Sequence, residues 1–246
     1  MRIDEEKCTG CRLCIPYCCG GAIAEVEGRN KCAVDQDLCV ECYVCRWSGC
    51  CPQDAFEETE LEWPRSVRHT FSAVKAAFSD TRMDGRGTKE MKTNDITGRF
   101  RLGEVGFTVD VGRPGVGTTF ADVEKIAMAV AEAGEGIEGG VRFVEDNPTT
   151  RLMKDGKSGK FRDDVRGERI LSCILEFKIK EEGLMKVIRA LRDVAEEVDT
   201  VFSVGCISRC REDGTVPVRA MLDEAGVFYR PNGKVNVGLG RPLSPY

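Results

Sequence analysis

From Arg101 to Ile207 the apolar positions switch between two periods, and each switch marks an element. In "RLGEVGFTVDVG", Val105, Phe107, Val109 and Val111 alternate with polar or small residues. That is the two-residue period of a strand with one buried face. Thr119 with Asp122 makes a capping-box pattern, after which Phe120, Val123, Ile126, Ala127 and Val130 recur at helical spacing. "VRFVE" from Val141 reads as a second strand, and a polar stretch follows over 146–167. Leu171, Cys173, Leu175, Phe177 and Ile179 share one face of a third strand, and Leu184, Val187, Ile188, Leu191 and Val194 form a second helical stripe. "TVFSVGCI" is the fourth strand. The order β-α-β-β-α-β over 101–207 is the split-βαβ pattern and predicts a four-stranded antiparallel sheet with two helices on one face. The tail, 208–246, adds a short helix near Met221 and a hairpin at "PNGK", where Asn232-Gly233 favours a type I′ turn.

Upstream the periodicity fades. Over 59–100, Pro64 is suited to opening a helix, and Val67, Phe71, Val74 and Phe78 continue it as one amphipathic stripe. The run "DGRGTKEMKTNDITGRF" then reads as a polar connector or a functional loop. Residues 1–58 show a different regularity. "IDEEKCTGCRLC" at Ile3 repeats as "VDQDLCVECYVC" at Val34 with an offset of 31. Each half reads as a short strand, a cysteine loop and a small helical turn ending in Ala22-Ile23 or Ala55-Phe56. A unit this small builds little apolar core, so bound inorganic centres must supply much of its stability. The expected fold class is α+β, divided as 1–58, 59–100 and 101–246.

Composition narrows the function classes. The net charge of −5 gives no support to a nucleic-acid role or membrane electrostatics. No apolar run nears the roughly 20 residues that span a bilayer, and the charged start "MRIDEEKCTG" lacks a secretory h-region, so a cytoplasmic setting is expected. Of 14 cysteines, most fall before residue 52. Two-residue spacings suit metal or cluster binding better than a disulfide framework, which needs an oxidising compartment.

Cys8, Cys11, Cys14 and Cys18 form C-x2-C-x2-C-x3-C, and Cys39, Cys42 and Cys45 repeat the triplet. Residues 1–58 with these runs, and with the endings "CGGAI" and "CPQDAF", resemble the two-cluster [4Fe–4S] ferredoxins of bacterial type. The resemblance implies that the fourth cysteine of each run crosses to the other cluster. One cluster would then take Cys8, Cys11, Cys14 and Cys51, the other Cys39, Cys42, Cys45 and Cys18. The chain departs from the family in two places. Cys19 stands where the family has proline, and the gap after Cys45 is lengthened so that both Cys50 and Cys51 follow. Cys19, Cys32 and Cys50 are left over, either as structural thiols or as alternate ligands, redox-active thiols or ligands of a larger centre. Cys173 suits the core, and Cys206 with Cys210 forms a C-x3-C pair, two ligands of a further site at most.

Other constellations are weaker. "GRPGVGTTFADVEKI" places Arg113, Gly115 and Gly117 before a helix N-terminus, which suits either a tight turn or an anion site. The single histidine, His69, cannot build a His-rich metal site, and neither G-x-S-x-G nor H-E-x-x-H occurs. The run over 84–115 resembles the iron–sulfur reductases typified by 6-hydroxynicotinate reductase, enzymes of anaerobic bacteria. That resemblance implies a functional surface at Arg86, Lys89, Lys92, Asn94, Asp95 and Arg113. Three functions are open. The first is an iron–sulfur electron-transfer protein feeding a redox partner or a catalytic subunit in an anaerobic reductase complex. The second is a small oxidoreductase with its own substrate site. The third is a cluster carrier or maturation factor.

Overall fold

A computed structural model describes residues 1–73 and 98–230. It is a mixed α/β structure of small sheets and five α-helices among the described residues. Its apolar side chains gather in two clusters, one within 1–61 and one running from Val67 to Leu222.

The first region holds four short strands, β1 (Arg2–Ile3), β2 (Ile23–Glu25), β3 (Cys32–Val34) and β4 (Phe56–Glu57), and the one-turn helix α1 (Val44–Trp47). β1 pairs with β4 and β2 with β3, both antiparallel, with Ile3 opposite Phe56 and Ile23 opposite Val34. The sequence repeat thus becomes a structural one: Ile3 and Val34 hold equivalent places in the two ribbons. Asp4 accepts from the N–H groups of Glu6 and Lys7, and Asp35 from those of Asp37 and Leu38. The amide of Cys8 bonds the Asp4 carbonyl and that of Cys39 the Asp35 carbonyl, each at 3.0 Å. These Asx turns fix where each cysteine loop begins.

Helix α2 (Ser66–Ser72) follows. The stripe predicted one longer helix; Ala73 is already extended, and Val74 and Phe78 lie outside the described residues. So do Arg86, Lys89, Lys92, Asn94, Asp95 and the Asn232-Gly233 turn.

The larger cluster is built on β5 (Glu104–Val111), β7 (Arg142–Phe143), β9 (Cys173–Lys180) and β10 (Phe202–Ser208), in the spatial order β10-β5-β9-β7 with every pairing antiparallel. Register aligns Phe143, Phe177 and Phe107 in one row across three strands. The rings of Phe107 and Phe177 stack at 5.0 Å, and Phe143 meets Phe177 edge-on at 5.8 Å. Over this face lie α3 (Phe120–Ala133) and α4 (Leu184–Val194), whose apolar stripes are buried against it. The opposite face is polar: buried Glu104 pairs with Lys178 (2.8 Å) and with Arg142.

Two strands differ from their sequence pattern. "VRFVE" supplies only two paired residues, because β7 is an edge strand and the chain turns at Val144 to Asn147. Leu171 and Ser172 fall before β9, since Arg169–Ile170 forms β8 and pairs instead with β6 (Thr118–Thr119). The polar stretch 146–167 is also less open than it reads. Phe161 and Val165 are fully buried in the core, and Met153 bridges Phe161. A final helix, α5 (Pro217–Glu224), starts at its proline and buries Val218 and Leu222.

Candidate metal centre

Each cysteine loop is shaped by backbone that leaves the usual right-handed regions at matching places. Gly10 and Arg12 have φ of 69° and 63°, and Glu41 and Tyr43, 31 positions on, have 53° and 60°. Three of these are not glycine, so the loops carry strain that surrounding contacts must offset. Gly10 has a second requirement: a Cβ there would lie 2.4 Å from the carbonyl oxygen of Asn30.

The loops enclose two hollows. The first is lined by Cys8, Cys11, Cys14 and Cys51, with Cys32 and the apolar Ile3, Ala55 and Phe56. The second is lined by Cys39, Cys42, Cys45 and Cys18, with Met1, Ile23, Val34, Val40 and Tyr43. Cys51 therefore stands with the first triplet and Cys18 with the second. Peptide N–H groups point at sulfur in both: Ala22 at Cys18 Sγ (3.0 Å), Ala55 at Cys51 Sγ (3.3 Å) and Cys32 at Cys8 Sγ (3.4 Å). Such donors favour a thiolate over a thiol.

The donor set fits a polynuclear centre better than a single ion. Among the described residues no three Cys, His, Asp or Glu side chains stand close enough to share one metal ion. The thiols are spread around a hollow, which suits a centre whose separate iron corners each take one ligand. Burial pushes the thiols of Cys14, Cys42 and Cys45 up to about 12, and raises that of Cys39. Without a metal these groups carry protons, and metal ligation would displace them.

Charges that sequence reading passed over complete the site. The Nζ of Lys31 donates to the carbonyl of Cys8, and Arg68 Nη1 donates to the carbonyl of Cys39 (2.9 Å) and to those of Gln36 and Asp37. A cation thus meets the first cysteine of each triplet, where it would offset the negative charge of metal-bound thiolates. Glu41 is fully buried between Cys39 and Cys42 and binds both the ammonium of Met1 and the guanidinium of Arg65, each at 2.6 Å. Burial opposes ionisation of Glu41, but these hydrogen bonds outweigh it and hold the carboxyl below its ordinary range. His69 Nδ1 lies 2.9 Å from the carbonyl of Glu41, and its ring packs on Tyr43 at 4.5 Å, so it braces the second loop. The available signal was Arg65 and Arg68, three apart on the face of α2 that also carries His69.

The remaining candidates lie elsewhere. Cys19 and Cys50 line neither hollow; the Sγ of Cys50 faces the carbonyl of Cys45 at 3.4 Å, and that of Cys19 lies 4.0 Å from the Tyr17 carbonyl. Cys173 is in the body's core, and Cys206 and Cys210 are exposed on and after β10. Of the two readings of the Gly-rich turn, the hydrogen bonds favour the tight turn. Gly115 N–H donates to the Cys19 carbonyl (2.8 Å) and Gly117 N–H to that of Arg113 (2.8 Å). The first amides of α3 bond Glu168, Arg166 and the Thr119 hydroxyl. Arg113 spans Gly112 and Ser203. These donors are committed within the protein, so the turn seats one region on the other. The same seam holds the Arg68–Glu168 ion pair, Trp63 donating to Asp164 (2.6 Å), Leu171 N–H donating to Ser72 Oγ (2.9 Å), and Phe71 edge-on to Phe120 at 5.3 Å.

No family model and no solved structure matches the chain. Among curated proteins it is similar to the pyruvate synthase subunit PorD of Methanocaldococcus jannaschii, 37% identical over 60 residues. Those residues are 24% of this chain and 66% of that protein, just under two thirds of its length. No helix among the described residues is long and apolar enough to cross a membrane. The matched stretch is about as long as the cysteine-rich region.

Proposed function

We propose that this chain is an iron–sulfur electron-transfer subunit that carries two [4Fe–4S] clusters and serves a catalytic partner of the pyruvate synthase kind. The observation that carries the reading is the crossed grouping of thiols: Cys8, Cys11 and Cys14 with Cys51, and Cys39, Cys42 and Cys45 with Cys18. The likeness to a pyruvate synthase subunit supports the partner. A [4Fe–4S] centre, when bound, takes up and gives away one electron at a time.

The chain's own residues do the rest. The eight thiolates hold the two centres, the amides of Ala22, Ala55 and Cys32 hydrogen-bond sulfur, and Lys31 and Arg68 offset charge. Ile3, Phe56, Ile23 and Val34 exclude water from the hollows. In this reading residues 1–58 are a dicluster ferredoxin module, and 101–207 a split-βαβ body that holds it, an arrangement supported by the strand order β10-β5-β9-β7. A committed Gly-rich turn favours a docking body over a substrate site.

The test is anaerobic purification followed by iron analysis, EPR of the dithionite-reduced protein and electron exchange with the catalytic subunits of a pyruvate synthase. About eight irons per chain, two interacting cubane signals and reduction by those subunits in the presence of pyruvate are expected. Turnover of an organic substrate by the isolated reduced chain would replace this reading with that of an autonomous reductase.

A further inference from the structure

Cys32 stands seven positions before Cys39, and the matching place in the first half of the repeat, seven before Cys8, is Met1. Both side chains are almost fully buried, and each lines one hollow. The first hollow therefore has five thiols on its wall, and the second has four thiols and a thioether. β3 fixes Cys32 in place: its amide points at Cys8 Sγ, and Cys32 pairs with Glu25 across the ribbon. Cys11, by contrast, is the one thiol of the first hollow that is exposed, while Cys32 is 2% exposed. The other surplus thiols, Cys19 and Cys50, line neither hollow.

A thiol that loses its proton is as good an iron ligand as its neighbours, whereas a thioether is a weak one. We propose that Cys32 is a reserve ligand of the first cluster, able to take the iron that Cys11 holds. The proposal rests on the dicluster reading above. In the exchange the iron–sulfur bond to Cys11 breaks and one to Cys32 forms. The proton of the Cys32 thiol passes to the released Cys11 thiolate, and no iron changes oxidation state. Cys11 is the member that solvent, oxidants or a docking partner reach first, so the first cluster survives attack at its exposed corner. On the wall of the second hollow the equivalent place is held by Met1, a thioether and a weak ligand.

The experiment compares anaerobically prepared wild type, Cys32→Ala, Cys11→Ala and Cys11→Ala/Cys32→Ala by iron content and EPR after reduction. Wild type, Cys32→Ala and Cys11→Ala are expected to hold about eight irons, and the double variant about four. Iron loss in Cys11→Ala equal to that in the double variant overturns the proposal. Cys11→Ser with and without Cys32→Ala guards against a folding defect, since serine preserves the loop and supplies an oxygen ligand. Cys11→Ser should keep the EPR signature of an all-thiolate cubane, and adding Cys32→Ala should change it. Identical spectra for that pair also overturn the role of Cys32. Wild-type protein without two clusters would overturn the dicluster reading itself, a different failure from that of the variants alone.

Discussion

The two apolar clusters of this chain differ in what fills them. The larger is filled by side chains: Phe107, Phe177, Ile126, Leu175 and Leu184 are fully buried between one sheet face and two helices. The smaller is filled largely by sulfur, with Cys8, Cys14, Cys32 and Cys45 among its buried members and only two-residue and three-residue strands around it. Burial of apolar area stabilises the first by roughly 25 cal/mol per Å². The second has two hollows where a core would be, four non-glycine residues in left-handed backbone, and a buried carboxylate. With the centres of the proposed function in place, its fold would depend on what the thiols hold, as in small metal-dependent domains whose binding energy is their folding energy.

The largest effect should come from removing iron. Chelation of the oxidised protein is expected to unfold residues 1–58 and leave the body folded. Hydrogen exchange read by mass spectrometry checks this. Fast exchange in β1 to β4 with continued protection of β5 and β9 is the expected pattern, and collapse of both regions together would break the comparison. Phe177→Ala supplies the converse. It should cost the body about 3–5 kcal/mol, measured by denaturant unfolding, while the iron content per folded chain stays unchanged.

Both regions were legible in the sequence, but to different depths. Alternation at Val105 to Val111 and at Leu171 to Ile179 gave the long strands, because one buried face imposes a period of two. The same signal overextended β7, since an edge position, not the alternation, decides how many residues pair. It missed the β6–β8 pairing, where two residues on each side are too few to show a period. In the cysteine region spacing alone gave the triplets. The partnership of Cys51 with the first and Cys18 with the second came from the resemblance, and nothing local fixes it. The cations were illegible for a further reason: Lys31 and Arg68 reach their carbonyls across 23 and 29 residues of chain, and a window a dozen residues long holds neither partner. The Gly-rich turn left two readings open because free amides and committed amides have the same sequence; only the Cys19 carbonyl opposite Gly115 separates them.

An intermediate effect separates the regions by acid. Glu41 is held ionised by Arg65 and the Met1 ammonium, below its ordinary carboxyl range. A depressed folded value means that its contribution is complete above the ordinary range and is lost as pH falls through the lowered one. Acid should therefore loosen residues 1–58 as Glu41 takes up its proton. At neutral pH Glu41→Gln leaves two cations near a buried site and is expected to cost about 3–5 kcal/mol. Acid titration followed by cluster absorbance checks both parts. The variant should lose that acid step, and an unchanged profile would remove Glu41 from the account.

The smallest expected effect lies at the seam. Gly115 has φ of 85°, open space where a Cβ would go, and an amide bonded to Cys19. Gly115→Ala therefore adds backbone strain without a clash, at a cost of about 1 kcal/mol. That cost falls on the contact between the regions and on neither core. The body's own unfolding midpoint should hardly move, and neither should iron content. What should change is the coupling: limited proteolysis ought to cut between the two regions more readily in the variant. The Arg68–Glu168 pair and the Trp63–Asp164 bond hold the same seam, so a single strained turn should weaken it without opening it. Unaltered cleavage would mean that those side-chain bonds alone carry the seam. Loss of iron would mean instead that the turn supports the second hollow through Cys19, the neighbour of Cys18, and the two regions would then be less independent than their cores suggest.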